Sequence, residues 1–214
     1  MSRVINLFAA PIMHLSRPTK VCEAEEQEIK DIIEEGMIQN QFNSNTKDSY
    51  IFDTKLQEIY EFCSDSIDTY VKEIFNPKDD NDINYYITQS WVNVNKPKEA
   101  HHMHYHPNSI ISGVFYIKVD SYDSICFHDP LSKLKSGFHF GLHEPKEMND
   151  WNYGVYAEKV LSGDLVLFPS WLEHSVFPNK SYSEDRISVS FNTFVEGTIG
   201  DRKSLTQLNL KCGS

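Results

Sequence analysis

The sequence predicts an α+β domain in which two helices precede a β-sandwich or barrel. Three observations carry this. Apolar residues keep helical spacing only in the first third of the chain. From residue 84 onward they alternate, or run in short blocks between Gly, Pro and Asp turns. Thirteen Phe and eleven Tyr suit pleated surfaces. At 214 residues the chain reads as a single domain, 1–214, with helical support over 20–75 and a β-rich core over 84–196.

Residues 4–13 read as an opening strand that Pro11 interrupts. Ile29, Ile32, Ile33 and Met37 place a first helix over about 20–37, with Gly36 near its end and an acidic outer face. Residues 40–54 are polar and read as loop. A second helix is expected from Lys55 to Phe75, with one apolar stripe from Leu56 to Phe75 packed on a sheet and Asp53 or Thr54 as its cap. Residues 76–82 then make a solvated turn, whose spacing does not fit a calcium loop.

Tyr85–Val94 follows as a strand, with Tyr85, Ile87, Gln89, Trp91 and Asn93 on one face. Ser112–Val119 is next, and Ser124–His128 is expected to pair back on it as a hairpin. Residues 129–153 form a long irregular stretch, a candidate lid. Val155–Leu161 is a strand, Ser162-Gly163-Asp164 a tight turn, and Leu165–Phe168 a buried strand ended by Pro169. Trp171–Phe177 contains His174, Arg186–Val195 is a late strand, and the tail after Glu196 is polar.

The formal charge of −11 weighs against nucleic acid and anionic membrane as partners. Cys22, Cys63, Cys126 and Cys212 are widely spaced and read as reduced thiols. Neither a secretory signal nor a transmembrane stretch is visible, so a cytoplasmic protein of a bacterial or phage-infected cell is expected. A homodimer is left open.

The chemistry gathers at His101-His102-Met103-His104-Tyr105-His106-Pro107, where four of nine histidines fall in six positions. Met, Tyr and the internal position argue against a tag. His102, His104 and His106 sit two apart and share one face of an extended strand, so a pair of them can converge on a metal. His174 lies some seventy residues on, and Arg186-Ile187-Ser188 twelve residues after that. Two near ligands and one distant ligand fit a facial triad with positions open for O₂ and a chelating co-substrate. A nearby Arg offers a two-pronged donor for a carboxylate. Ser170 and Ser175 flank His174, but no nucleophile elbow supports serine hydrolysis.

The ordered blocks Leu7-Phe8-Ala9-Ala10-Pro11-Ile12, Ser90-Trp91-Val92-Asn93-Val94, His104-Tyr105-His106-Pro107 and Ser112-Gly113-Val114-Phe115-Tyr116 carry a family resemblance. So do Phe127-His128-Asp129-Pro130, Gly163–Trp171 through His174, Arg186-Ile187-Ser188 and Ser190-Phe191-Asn192. Together they resemble the 2-oxoglutarate/Fe(II)-dependent oxygenases, in a prolyl-4-hydroxylase-like branch of bacterial and phage proteins.

The resemblance implies a double-stranded β-helix, the jelly roll of cupin-like proteins, with the N-terminal helices packed on one sheet. It implies Fe(II) and 2-oxoglutarate as cofactors. His104 and His174 are then iron ligands, and Arg186 with Ser188 and Tyr116 binds the far carboxylate of 2-oxoglutarate. The implied activity is a dioxygenase that hydroxylates a peptide or small molecule while 2-oxoglutarate is decarboxylated to succinate. The family's usual His-x-Asp is His-x-His here. His106 is therefore taken as the third ligand, with Asp129 as the alternative and His102-x-His104 as a second frame. A cupin-like dioxygenase or isomerase without 2-oxoglutarate, and a non-catalytic jelly-roll binding module, stand as rivals.

Overall fold

The computed structural model describes residues 3, 9–78, 82–131, 146, 147, 149 and 154–211. Strands pair antiparallel in two sheets. The larger runs β1 (Met13–Ser16), β9 (Asp164–Pro169), β6 (Ile111–Lys118), β11 (Arg186–Ile199), β4 (Asn84–Asn95), β3 (Ser44–Thr46), β2 (Met37–Gln39), and β12 (Leu208–Leu210) extends β11. The smaller runs β5 (His101–His104), β10 (His174–Val176), β7 (Ser124–His128), β8 (Val155–Lys159). The chain crosses between sheets as it proceeds, the jelly-roll arrangement.

Alternation builds three layers. Outward-facing Phe115, Ile117, Val189 and Phe191 meet Ile59, Cys63, Ile67 and Tyr70 of helix α2 (Gln57–Tyr70) and Ile29 and Ile32 of helix α1 (Glu23–Glu35). Inward-facing Val114, Tyr116, Val166 and Phe168 meet Ile125, Phe127 and Leu172 between the sheets. Along β11 the odd positions therefore face the helices. The even positions Arg186, Ser188 and Ser190 line the space between the sheets, where Asn192 bonds the His106 ring.

Several local expectations change. The opening strand begins only at Met13, beyond Pro11, and residues 4–8 lie outside the described residues, as does most of the 129–153 stretch read as a lid. The polar segment 40–54 holds β3 and a 3₁₀ turn at Ile51–Asp53, not only loop. Neither Asp53 nor Thr54 caps α2. Leu56 takes the cap position in left-handed backbone (φ 56°), and its N–H donates to Glu28 Oε1 of α1 at 3.0 Å. A partner from another helix is invisible in a local window. The stripe also ends early: Ile74 and Phe75, in the π-helical turn Val71–Phe75, are exposed.

In β4, Asn192 pairs with Gln89 but Thr193 pairs with Ile87, so Thr88 is bulged out. The bulge switches the faces. Tyr85 and Ile87 join the helix-side core together with Val92 and Val94, while Trp91 and Asn93 face the opposite way. The five residues expected on one face are thus divided. Strands β6 and β7 do not form the expected hairpin, because β6 pairs with β9 and β11 and β7 with β8 and β10. Asp123 redirects the chain, its carboxylate accepting the Asp120 N–H at 2.8 Å. The polar tail contributes β12. Gly163 makes the expected turn with φ 91°, its N–H bonded to the Tyr116 carbonyl at 2.8 Å.

Two features make predictions. A Cβ on Gly113 would stand 2.2 Å from Cζ of the fully buried Phe191 across the β6–β11 pair. Gly113→Ala should cost about 1–3 kcal/mol in chemical denaturation, with part recovered by Phe191→Leu in the same chain.

The second feature is His14, which clasps the edges of the two sheets. Its Nδ1 lies 2.6 Å from Glu158 Oε1 and its Nε2 3.0 Å from Asp164 Oδ2. Burial lowers its pKa, but the two carboxylates outweigh that and raise it above 6.5. The clasp therefore stabilises fully below the unfolded value and fades as pH rises through the raised one. The difference in Tm between the protein and His14→Gln should be larger at pH 6 than at pH 9; a difference independent of pH would contradict the clasp.

Candidate metal centre

His104 stands at the end of β5 and His174 at the start of β10, and the two are cross-strand partners. Antiparallel partners bring their side chains together, and the ring centroids lie 4.3 Å apart. His106 follows β5, where its N–H donates to the Ser170 carbonyl at 2.9 Å. Its ring centroid is 5.2 Å from that of His104 and 5.0 Å from that of His174. One ring nitrogen from each of the three lies within 4.8 Å of the other two.

The hydrogen bonds orient all three rings alike. Nδ1 of His104 bonds the His102 carbonyl at 2.8 Å, and Nδ1 of His174 bonds the Leu172 carbonyl at 3.0 Å. A carbonyl only accepts, so each Nδ1 carries the proton and each Nε2 keeps its lone pair. His106 achieves the same with side chains: Nδ1 lies 2.6 Å from Asn192 Oδ1 and 2.8 Å from Ser112 Oγ. Ser112 also donates to Asn192 Oδ1 (3.0 Å) and meets Ser170 Oγ (2.8 Å), which donates to Ser109 Oγ (2.7 Å). The third histidine is thus held by a hydroxyl chain behind it.

Burial and the neighbouring imidazoles depress these rings' affinity for protons, His106 to about 4 and His174 to about 2, with His104 lowered in the same direction. His101, stacked on His104 at 4.3 Å, is lowered to about 3. The rings are neutral near pH 7, the state in which imidazole binds a metal. The donor set fits a divalent transition metal such as iron.

The cavity continues from the histidines past Asn93 and Ser190 to Tyr116, Ser188 and Arg186. Ser188 and Tyr116 are register partners on β11 and β6. Arg186 is 4% exposed, and its Nη1 meets Asp123 Oδ1 at 3.0 Å. These donors fit the far end of a dicarboxylic acid: a guanidinium with five N–H groups, one of them on Asp123 and one on the Phe177 carbonyl at 3.5 Å, beside two hydroxyls.

The structure brings together His104, His106, His174, Tyr116, Arg186 and Ser188 around one cavity. Asp129 is not in the histidine group; its Oδ1 accepts the Leu131 N–H at 2.9 Å. His102 is likewise outside that group. Ser170 is bonded to other serines, and Ser175 to Nε2 of His128 at 2.8 Å, so neither of these two is paired with His174, whose Nδ1 bonds the Leu172 carbonyl. Sequence reasoning assigned no role to Asn192, Asn93, Ser190 or Asp123. For the first and third the signal was the even-numbered polar series of Arg186-Ile187-Ser188-Val189-Ser190-Phe191-Asn192.

A family model described as "Putative 2OG-Fe(II) oxygenase" matches residues 89–192, which include every one of these cavity residues. The match spans just under half of the chain and is to the 2OG-Fe(II) oxygenase family. No curated protein matches its sequence. The carbocyclase SnoK of nogalamycin biosynthesis, described as non-heme and α-ketoglutarate-dependent, shares the fold with TM-score 0.61 at 12% identity over 96% of this chain and 90% of its own. HygX from Streptomyces hygroscopicus, solved with nickel, 2-oxoglutarate and hygromycin B, gives 0.54 at 11% identity over 86% and 82%. A prolyl hydroxylase from Trichoplax adhaerens, in complex with a peptide fragment of hypoxia inducible factor, gives 0.57 at 13% over 86% and 83%. At these identities the likeness shows the shared jelly-roll fold, and the family match adds 2-oxoglutarate and Fe(II) as the chemistry to be tested. No helix among the described residues is long and apolar enough to cross a membrane.

The ring orientations can be checked without metal. Nitrogen-15 NMR of the apoprotein should show His106 and His174 as neutral Nδ1–H tautomers down to about pH 5. An Nε2–H tautomer on either ring would contradict the arrangement.

Proposed function

We propose that His104, His106 and His174 hold Fe(II), that Arg186, Ser188 and Tyr116 receive the far carboxylate of 2-oxoglutarate, and that the enzyme hydroxylates a peptide or small molecule. The observation that carries this is the convergence of three neutral imidazoles, one ring nitrogen of each within 4.8 Å of the others, at one end of a cavity whose other end is Arg186. When bound, Fe(II) with 2-oxoglutarate supplies O₂ activation coupled to decarboxylation to succinate.

The chain's own residues supply orientation. The carbonyls of His102 and Leu172 and the Asn192 amide keep each Nε2 free. Buried Ser190 and Asn93, joined by a 2.8 Å bond from Asn93 Nδ2 to Ser190 Oγ, line the cavity between its two ends. Trp91, whose ring centroid lies 5.8 Å from that of His106 and whose Nε1–H donates to Asn93 Oδ1, covers one flank and limits water there. Exposed Met103, Tyr105 and Trp171 beside the histidine strand offer an apolar rim for the substrate. A cytoplasmic location accompanies this proposal.

Anaerobic titration of the apoprotein with Fe(II) and then 2-oxoglutarate should give a weak visible chelate band that needs both and is lost in Arg186→Ala. His104→Ala and His174→Ala should abolish iron binding, and Asp129→Ala should leave it unchanged. Asn192→Leu, which keeps volume but removes the acceptor on His106, should weaken iron binding about 10–100-fold. Iron binding without a band would overturn the co-substrate site, and full affinity in His106→Ala would overturn the third ligand.

A further inference from the structure

We infer that Asp123 sets how far this pocket distinguishes a dicarboxylic 2-oxo acid from a monocarboxylic one of the same length, because it neutralises Arg186 before the acid arrives. The inference rests on the co-substrate site proposed above. Arg186 and Asp123 form a buried ion pair at 3.0 Å, with side chains 4% and 7% exposed. Asp123 is fixed from its other side, where Oδ2 accepts the Asp120 N–H at 2.8 Å and its own carbonyl accepts the Val160 N–H at 3.2 Å. It is therefore not free to swing away when a second carboxylate comes.

Arg186 is also the wall between two cavities. On one side lie the histidines, with the neutral groups of Asn93, Asn95, Tyr116, Ser188 and Ser190. On the other lie the carboxylates of Asp120, Asp123, Glu184 and Asp185. Glu184 is paired with Lys118, whereas Asp123 faces the guanidinium directly. The cation that would attract the far carboxylate thus carries a buried counter-charge, and an arriving carboxylate is repelled by Asp123 as well as attracted by Arg186. Between charges a few ångströms apart and shielded from water, that repulsion is substantial. Three neutral ligands leave the charge of a bound divalent metal uncompensated, so attraction for the acid is concentrated at its keto-acid end.

The test is anaerobic binding to the full chain loaded with Fe(II), read by the chelate band and by calorimetry, with 2-oxoglutarate and with 2-oxopentanoate, which lacks the far carboxylate. The expected result is that Asp123→Asn tightens 2-oxoglutarate about tenfold or more and leaves 2-oxopentanoate unchanged. Weaker 2-oxoglutarate binding in Asp123→Asn would overturn the inference, because it would make Asp123 a support that Arg186 needs. No change for either acid would overturn it as well.

Thermal unfolding of the metal-free variant establishes that it folds. Should it not fold, Asp123→Ser, whose hydroxyl can still accept the Asp120 N–H without carrying a charge, takes its place. That chain is expected to bind 2-oxoglutarate more tightly and 2-oxopentanoate unchanged, and weaker or unchanged 2-oxoglutarate binding overturns the inference. Failure of the wild-type chain to form a chelate with either acid overturns the co-substrate site and this inference with it. Chelates with both acids and no response to Asp123→Asn overturn this inference alone.

Discussion

The double pairing of β11 is the constraint on which the rest of the molecule depends. β11 is bonded to β4 on one edge and to β6 on the other, so its faces cannot rotate. Val189 and Phe191 must then enter the helix-side core, and Arg186, Ser188, Ser190 and Asn192 must face inward in a row. A slip of one residue would exchange the two sets and bury the polar row against the helices. Gly113 guards this register, because only a residue without Cβ leaves room for the Phe191 ring. One strand thus sets both the core and the spacing between the arginine end and the histidine end of the cavity.

The charges along the cavity are unevenly placed. At the histidine end a neutral imidazole, His106, stands where the family usually has a carboxylate. A neutral imidazole needs its tautomer fixed before it can hold a metal, and Asn192 and Ser112 do this at 2.6 and 2.8 Å. At the arginine end a carboxylate is present in Asp123, held against Arg186. The buried carboxylate thus sits with Arg186 and outside the histidine group.

Much of this was legible in the sequence. The jelly roll followed from the resemblance carried by ordered blocks between Ser90 and Asn192, and the same resemblance pointed to His104, His106 and His174 as candidate ligands, which the fold brings together. What escaped the sequence was long-range. The cap on Leu56 comes from Glu28 of another helix, and the bulge at Thr88 exists only because β11 fixes its neighbours. The turn at Asp120–Asp123 looks like a hairpin locally, but the partners of β7 lie in the other sheet. Asp123 reads as an ordinary turn residue until the fold sets it against an arginine sixty-three positions away. Asn192 was visible as part of a motif, yet its role needs the His106 ring beside it.

The central claim is that three imidazoles form the metal's protein ligand set. X-ray absorption at the iron edge of the anaerobic Fe(II)–2-oxoglutarate protein tests it most directly, by counting imidazole scattering shells in the protein and in His106→Ala. The account predicts three imidazoles, falling to two in the variant. Two imidazoles with a protein carboxylate oxygen in the unaltered chain, unchanged by His106→Ala, would contradict it.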